Sequence, residues 1–271
     1  MKVLIATGGS PHSTRAVCFG ADLCTHLDQP PTLLMVVRRP QDIPRADAIL
    51  QQALANFHDG VVPRLRVRVG QPAEEIIAEA REGGYDLIIV GERQSHTLKA
   101  RLLGSTALQV VEHAACPVII AKGDIRPIRR ILMCDSGARP SILSRFTAQL
   151  AQTLRGREEI TVLHVMSQIP AWPGVPDEQL EAPAEELIRQ GTPEGEWLAD
   201  DLAALARPDI EARPKVRHGA VVEEILAETQ EQDYDLVVIG AHRGQGWERV
   251  LLEDIAREII THVDRPVAVV R

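Results

Sequence analysis

A long stretch occurs twice in this chain, and that repetition limits the possible folds more than any other feature. Gly70–Gly91 reads GQPAEEIIAEAREGGYDLIIVG and Gly219–Gly240 reads GAVVEEILAETQEQDYDLVVIG; 11 of 22 positions are identical, without a gap, at an offset of 149. The register holds to the end of each half, where His113–Lys122 (HAACPVIIAK) faces His262–Arg271 (HVDRPVAVVR). At the front, Lys2–Ser10 (KVLIATGGS) faces Arg130–Ala138 (RILMCDSGA) at an offset near 127, so repeat two is longer in its middle by about 22 residues. Chance does not produce such a match; duplication does. The 271 residues then divide into a domain over 1–123, a linker over 124–129 holding Pro127, and a domain over 130–271.

Each repeat alternates two periodicities. In repeat one, strands are predicted at Val3–Ala6, Leu33–Val37, Leu65–Val69, Leu87–Val90 and Val118–Ala121. Helices are predicted at Ser13–Leu27, Ala46–Asp59, Ala73–Arg81 and Ser105–His113, the first with Ala16, Val17, Leu23, Cys24 and Leu27 on one face. Repeat two places strands near Ile131–Cys134, Ile160–Val165, Glu211–Arg217, Leu236–Ile239 and Val267–Val270. Unbroken apolar strands alternating with helices mean an α/β protein: a parallel sheet covered on both faces and wound right-handedly. Five strands in so short a unit match one nucleotide-binding-type half-sheet. The extra residues of repeat two, about 167–193, carry Pro170, Pro173, Pro176, Pro183 and Pro193. Prolines bar a continuous helix at the start, although Asp177–Gln190 suits one; a surface lid, an interdomain contact and a solvated loop all stay open.

Composition excludes several classes. Aromatics are only 3%, so each core must be aliphatic. A net charge of −8 disfavours nucleic acid and anionic membrane as partners. No apolar run is long enough to span a bilayer, and MKVLIATGG is too short for a signal peptide, which predicts a cytoplasmic chain. Cys18, Cys24, Cys116 and Cys134 form no CxxC and sit in apolar patterns, as buried free thiols would. The histidines form no HExxH, so no metal site is predicted; His12, His96 and His242 read as solvated or capping residues. Glu74, Glu75 and Glu79 read as a solvated helix face.

The stretch with most chemical content is Val90–Ser105, VGERQSHTLKARLLGS. A strand ends in Gly91, a loop follows with Arg93, Lys99 and Arg101, and Gly104-Ser105 opens a helix. Glycine lets a backbone approach a ligand, and the first N–H groups of a helix are unpaired donors at its positive end, so this is a plausible phosphate cradle. An ordinary strand-to-helix loop with a Ser cap accounts for the same residues.

The motifs in order are strand-Gly-Ser, GxPAEEI before a helix, a YDLIIVG strand, a Gly-to-Gly-Ser loop and HAxCPV, and they recur in repeat two. This order resembles the universal stress protein family, and the duplication resembles its tandem members. The resemblance implies two tandem five-stranded Rossmann-like domains of the adenine nucleotide alpha hydrolase-like type. It also implies a phosphate-binding pattern, an Asp ending the first strand and then G-x2-G-x9-G-[S/T]. In repeat one this falls on Gly91, Gln94 in place of the second glycine, and Gly104-Ser105, with Gly8 read at the Asp position. The implied nucleotide contacts are therefore Gly8, Gly9, Ser10, Val36 just past the second strand, Gly91, Arg93, Gln94, Gly104 and Ser105. In repeat two the pattern is degenerate. Asp135, Val165 and Gly240 are kept, but Arg243 replaces the second glycine and Glu253-Asp254 replace Gly-Ser. Two carboxylates there satisfy the helix dipole and repel a triphosphate.

The resemblance thus implies a nucleotide-responsive stress protein without catalytic residues, taking ATP or another adenine nucleotide, with or without Mg, in the first domain only; an empty first pocket is the alternative. Intra-chain pairing of the two domains through their last strands, and a homodimer, are the expected partners. Two further readings stand. One is a dimerising scaffold that binds no nucleotide. The other is an ATP-pyrophosphatase-type enzyme, suggested by Thr7-Gly8-Gly9-Ser10-Pro11-His12-Ser13, although that group's SGG-x-D-S loop has Asp where this chain has Pro11.

Overall fold

The computed structural model describes residues 1–58, 60–92, 105–135, 137, 141–154, 156–166, 182–240 and 247–271, with the backbone alone at 105 and 247–254. Contacts divide it into two units: Met1–Pro127 with Asp264–Val269 and Arg271, and Ile128–Val263 with Val270.

In the first unit the order is β1 (Val3–Thr7), α1 (Pro11–Leu23), β2 (Thr32–Val37), α2 (Ile43–Ala53), β3 (Arg64–Val69), α3 (Pro72–Gly83), β4 (Leu87–Gly91), α4 (Ser105–His113) and β5 (Val118–Ala121). The sheet order is β3-β2-β1-β4-β5, all parallel, continued by β10 (Val267–Val270) antiparallel to β5. The last strand of the chain thus lies against β5, the pairing of the two last strands that the sequence led us to expect. Every residue of β1 and β5 is buried, as expected for strands covered on both faces. Both α1 and α2 end sooner than their periodicity suggests, each running into a short 3₁₀ turn, Cys24–His26 and Leu54–Asn56. Asp59 lies outside the described residues.

The second unit contains β6 (Arg130–Asp135), α5 (Ile142–Ala151), β7 (Glu158–Met166), α6 (Ala184–Gln190), α7 (Pro193–Leu205), β8 (Ile210–His218), α8 (Val221–Glu231), β9 (Leu236–Gly240) and α9 (Trp247–His262). Its parallel order is β9-β6-β7-β8. Of the insertion, residues 167–181 lie outside the described residues; its end forms α6, shorter than the predicted Asp177–Gln190 and started by Pro183.

The two repeats carry the same ion network between an edge strand and the helix after it. Arg68 on β3 holds Glu75 (2.6 Å), Glu79 (2.9 Å) and Glu82 (2.8 Å) of α3. In the same register Arg217 on β8 holds Glu224 (2.7 Å), Glu228 (2.9 Å) and Glu231 (2.9 Å) of α8. Tyr85 and Tyr234 complete it, donating their hydroxyls to Glu79 and Glu228. This corrects the reading of Glu74, Glu75 and Glu79 as a solvated face. Glu74 is exposed, Glu75 is half-buried and paired, and Glu79 is buried because an arginine from the adjacent strand neutralises it.

Candidate functional site

Each unit has a cavity at the C-terminal ends of its strands, beside the first strand, where the sheet order reverses and the chain leaves in opposite directions. The first, about 220 Å³, is bounded by the end of β1, the start of α1, Leu34 and Val36 on β2, Ile76 on α3, Gly91, and Thr106 and Ala107 on α4. The second, about 420 Å³, lies in the equivalent place among β6, β7, β9, α8 and α9.

The predicted contacts divide into three groups. Gly8, Ser10, Val36 and Gly91 line the first cavity; Val36 does so from within β2, not just past it. Gly9 does not line it. This glycine turns with φ +70°, faces Ile49, and donates its amide to Thr7 Oγ1 at 3.3 Å. Arg93, Gln94, Lys99, Arg101, Gly104 and His96 lie outside the described residues; Ser105 opens α4. In the second unit Asp135, Val165 and Gly240 line the cavity, Arg243 and His242 lie outside the described residues, and Glu253 and Asp254 fall within α9.

One assignment needs correction. Thr7 ends β1 and pairs with Met35; Asp135 ends β6 and pairs with His164. Thr7, not Gly8, is therefore the counterpart of Asp135, and Met35 is the counterpart of His164. The stretches Lys2–Ser10 and Arg130–Ala138 differ by 128, which pairs Thr7 with Asp135; the offset near 127 that put Gly8 at the Asp position was off by one residue. A hydroxyl thus stands where repeat two has a carboxylate. It belongs to a small cluster: Thr7 Oγ1 donates to Ser13 Oγ at 3.2 Å, and Ser10 and Ser13 cap α1 reciprocally. Their role as an N-cap, with Pro11 at the first helical position, accounts for the Thr7–Ser13 stretch that suggested a pyrophosphatase loop.

Three lining residues escaped the sequence reading. Glu92 follows Gly91 and is only 5% exposed, with no pattern around it to announce a site. His12, read as solvated, lines the first cavity from the first turn of α1. His164 became visible only through strand pairing. Gly91 proves to be a packing glycine: a Cβ there would meet the His12 carbonyl oxygen at 2.5 Å and Ser13 Cα at 3.0 Å. At Gly240 the nearest atom is the tip of Leu143, at 3.1 Å.

Two of the four thiols, Cys24 and Cys134, are buried, whereas Cys18 and Cys116 are half-buried, so the expectation of four buried thiols holds only in part. Burial pushes the Cys24 thiol up to about 12 and that of Cys116 to about 11; burial, with Glu228 and Asp135 nearby, pushes Cys134 higher still. None is poised as a thiolate. Iodoacetamide at pH 8 is expected to modify the native protein slowly, at Cys18 first. Peptide mass mapping checks this, and rapid labelling of Cys24 or Cys134 would contradict it. Among the described residues no group of three or more His, Cys, Asp or Glu is placed to hold a metal, and no helix is long and apolar enough to cross a membrane.

Two doubly wound α/β units, each with a cleft at the switch point of its sheet, define a duplicated Rossmann-like protein. The family model of the universal stress protein family matches residues 1–122 and 128–271. The chain belongs to the universal stress protein family, as a member with two such domains in tandem. A universal stress protein of Mycolicibacterium smegmatis is 25% identical over 242 residues, covering 84% of this chain and 75% of that protein. Universal stress protein YxiE of Bacillus subtilis is 43% identical over 53 residues, 20% of this chain and 36% of that one. The crystal structure of a universal stress protein from Archaeoglobus fulgidus superposes with a TM-score of 0.74 at 18% identity, covering 100% of this chain and 98% of that one.

Proposed function

We propose that the protein is a non-catalytic, nucleotide-responsive module that takes ATP or another adenine nucleotide in its first unit alone. The observation that carries this reading is the first cavity, set at the switch point with the opening residues of α4 in its wall. Unpaired N–H groups at that helix start suit phosphate, and Arg93, Lys99, Arg101 and Gly104-Ser105 precede or open the helix in sequence. Leu34, Val36 and Ile76 form an apolar side suited to a base, and Val36 supplies backbone to its edge. Glu92 is an acceptor for ribose hydroxyls, and is the lone carboxylate among the lining residues if Mg²⁺ accompanies the phosphates. By likeness to its family, turnover of ATP is expected to be slow or absent. Restriction to the first unit rests on Glu253-Asp254, two acids that replace Gly104-Ser105 in the repeat alignment and would repel phosphate. Since α9 starts at Trp247, they fall within the helix and do not open it as the sequence suggested.

Mass spectrometry of the freshly purified protein should reveal one co-purified adenine nucleotide per chain. Gly104→Glu, which installs the residue of repeat two, should lower ATP affinity at least tenfold by calorimetry, about 1.4 kcal/mol. Two nucleotides per chain, or unaltered affinity in the variant, would defeat the reading. Sedimentation as a 29.8 kDa monomer would exclude the scaffold alternative, in which the last strands pair within the chain and two chains then associate further.

A further inference from the structure

We infer that the outer edge of β3 is an interaction surface that takes an extended, acidic segment of a partner protein as an added strand. Among the described residues β3 pairs with β2 alone and β8 with β7 alone, so each repeat has one outer strand. The two strands are equivalent, with Arg68 and Arg217 holding the same ion network, and each serves as a control for the other.

Backbone direction decides what each edge offers. Along a strand, the N–H and C=O of one residue point to the same side, and the next residue's point to the other. Arg64 donates its amide to the Pro31 carbonyl at 2.8 Å and Gly70 donates to that of Val37 at 2.9 Å, with unbroken pairing between them. The backbones of Arg64, Arg66 and Arg68 therefore face β2, while Leu65, Val67 and Val69 turn their donors and acceptors outward. In β8, Gly219 donates to the Met166 carbonyl at 3.1 Å, so the outward residues are Pro214, Val216 and His218. Pro214 stands at the position of Leu65, at the repeat offset of 149, and has no N–H to offer. A proline facing outward leaves the ladder to β7 intact and breaks the one an added strand would need. The edge of β8 is closed in this way, and that of β3 is open.

The side chains define the occupant. Val62 and Val69, at 70% and 39% exposure, are the large apolar residues left exposed among the described residues; one precedes β3 and the other ends it. Alternation puts Arg64, Arg66 and Arg68 on one face and Leu65, Val67 and Val69 on the other. Arg68 is taken up by Glu75, Glu79 and Glu82, which leaves Arg64 and Arg66, both exposed, to meet a newcomer. Arg66 reaches Glu79 at 3.4 Å, but Arg68 already holds that carboxylate at 2.9 Å. Carboxylates opposite Arg64 and Arg66, alternating with β-branched residues opposite Leu65, Val67 and Val69, complement both faces while the backbones pair. A second copy of the chain does not: β3 against β3 sets the two arginine rows on one face, like charge opposite like charge.

The test uses the full chain and two capped, fluorescently labelled peptides, Glu-Val-Glu-Val-Glu-Val and Lys-Val-Lys-Val-Lys-Val, followed by anisotropy. The acidic peptide should bind saturably, one per chain, and at least tenfold tighter than the basic one. On binding, amide exchange measured by NMR should slow at Leu65, Val67 and Val69 and stay as it was at Arg66 and Arg68. Leu65→Pro, which installs the residue of β8, should weaken the acidic peptide at least tenfold. Should that variant fail to fold by circular dichroism, Arg64→Glu with Arg66→Glu, which leaves the backbone edge intact, should reverse the preference in favour of the basic peptide. No binding, equal binding of the two peptides, protection at other amides, or full affinity in folded Leu65→Pro would each overturn the inference. So would sedimentation as a dimer that the acidic peptide dissociates, which would give the edge to a second copy. These readouts do not depend on nucleotide binding in the first unit, so either proposal can fail alone.

Discussion

Glu228→Ala is expected to lower stability by about 3–5 kcal/mol in urea unfolding, whereas Glu231→Ala, on the same helix and paired to the same arginine, should change it little. The contrast follows from burial. Glu228 is fully buried and receives hydrogen bonds from Lys215 Nζ (2.6 Å), Arg217 Nη1 (2.9 Å) and the Tyr234 hydroxyl (2.7 Å). Glu231 is half-exposed, and water replaces most of what it loses. Removing Glu228 takes the one fully buried acceptor from Lys215, Arg217 and the Tyr234 phenol, while Arg217 keeps Glu224 and Glu231. Burial raises the Glu228 carboxyl, but hydrogen bonds from Lys215, Tyr234 and Arg217 outweigh it and leave the group below its ordinary 4.5. A depressed folded-state value means that its contribution is present above pH 4.5 and is lost as pH falls through the folded value. The wild-type protein should therefore lose stability more steeply than Glu228→Ala as pH falls below 4.5. Parallel acid profiles would refute this account. Glu79→Ala in the first unit, where Arg68 and the Tyr85 hydroxyl hold a similarly buried carboxylate, should likewise lower stability at neutral pH.

Gly91→Ala should cost about 2–3 kcal/mol and Gly240→Ala less than about 1 kcal/mol, although the two glycines end equivalent strands. A Cβ at Gly91 would strike the backbone of α1 at His12 and Ser13, which cannot move without shifting the helix. A Cβ at Gly240 would touch only the end of Leu143, which can rotate away. The first cavity adds a second readout. His12, Ser13 and Gly91 all line it, so the displaced helix should also weaken nucleotide binding by the first unit. Chemical denaturation of both variants checks the first part and calorimetry the second. Similar costs at the two sites would show that α1 is not packed on the strand as described.

Much of this was legible before any coordinates. The duplication, the α/β class, all ten strands and the ends of β5 and β10 follow from two periodicities and one internal alignment, because burial on both faces requires unbroken aliphatic runs. Helix ends were less legible, since α1 and α2 close into 3₁₀ turns that leave the apolar pattern intact. Buried charge was misread altogether. Glu79 looks solvated in a list of residues because its partner, Arg68, lies on a different element, and side-chain pairing across elements has no local signature.

The site shows the same division. Glycines, the basic loop and the Glu253-Asp254 replacement are properties of the chain itself, and they suffice to separate the repeats chemically. Only the packed sheet could show that Thr7 is the counterpart of Asp135, that His164 lies beside that carboxylate, and that Glu92 faces a cavity. That the final strand of the chain lies against β5 was already an expectation of the sequence; the sheet added the antiparallel register. Sequence determines which elements form, because periodicity and burial are local to a segment. Which side chains meet depends on strand register, and register is settled only when the whole sheet buries its faces at once.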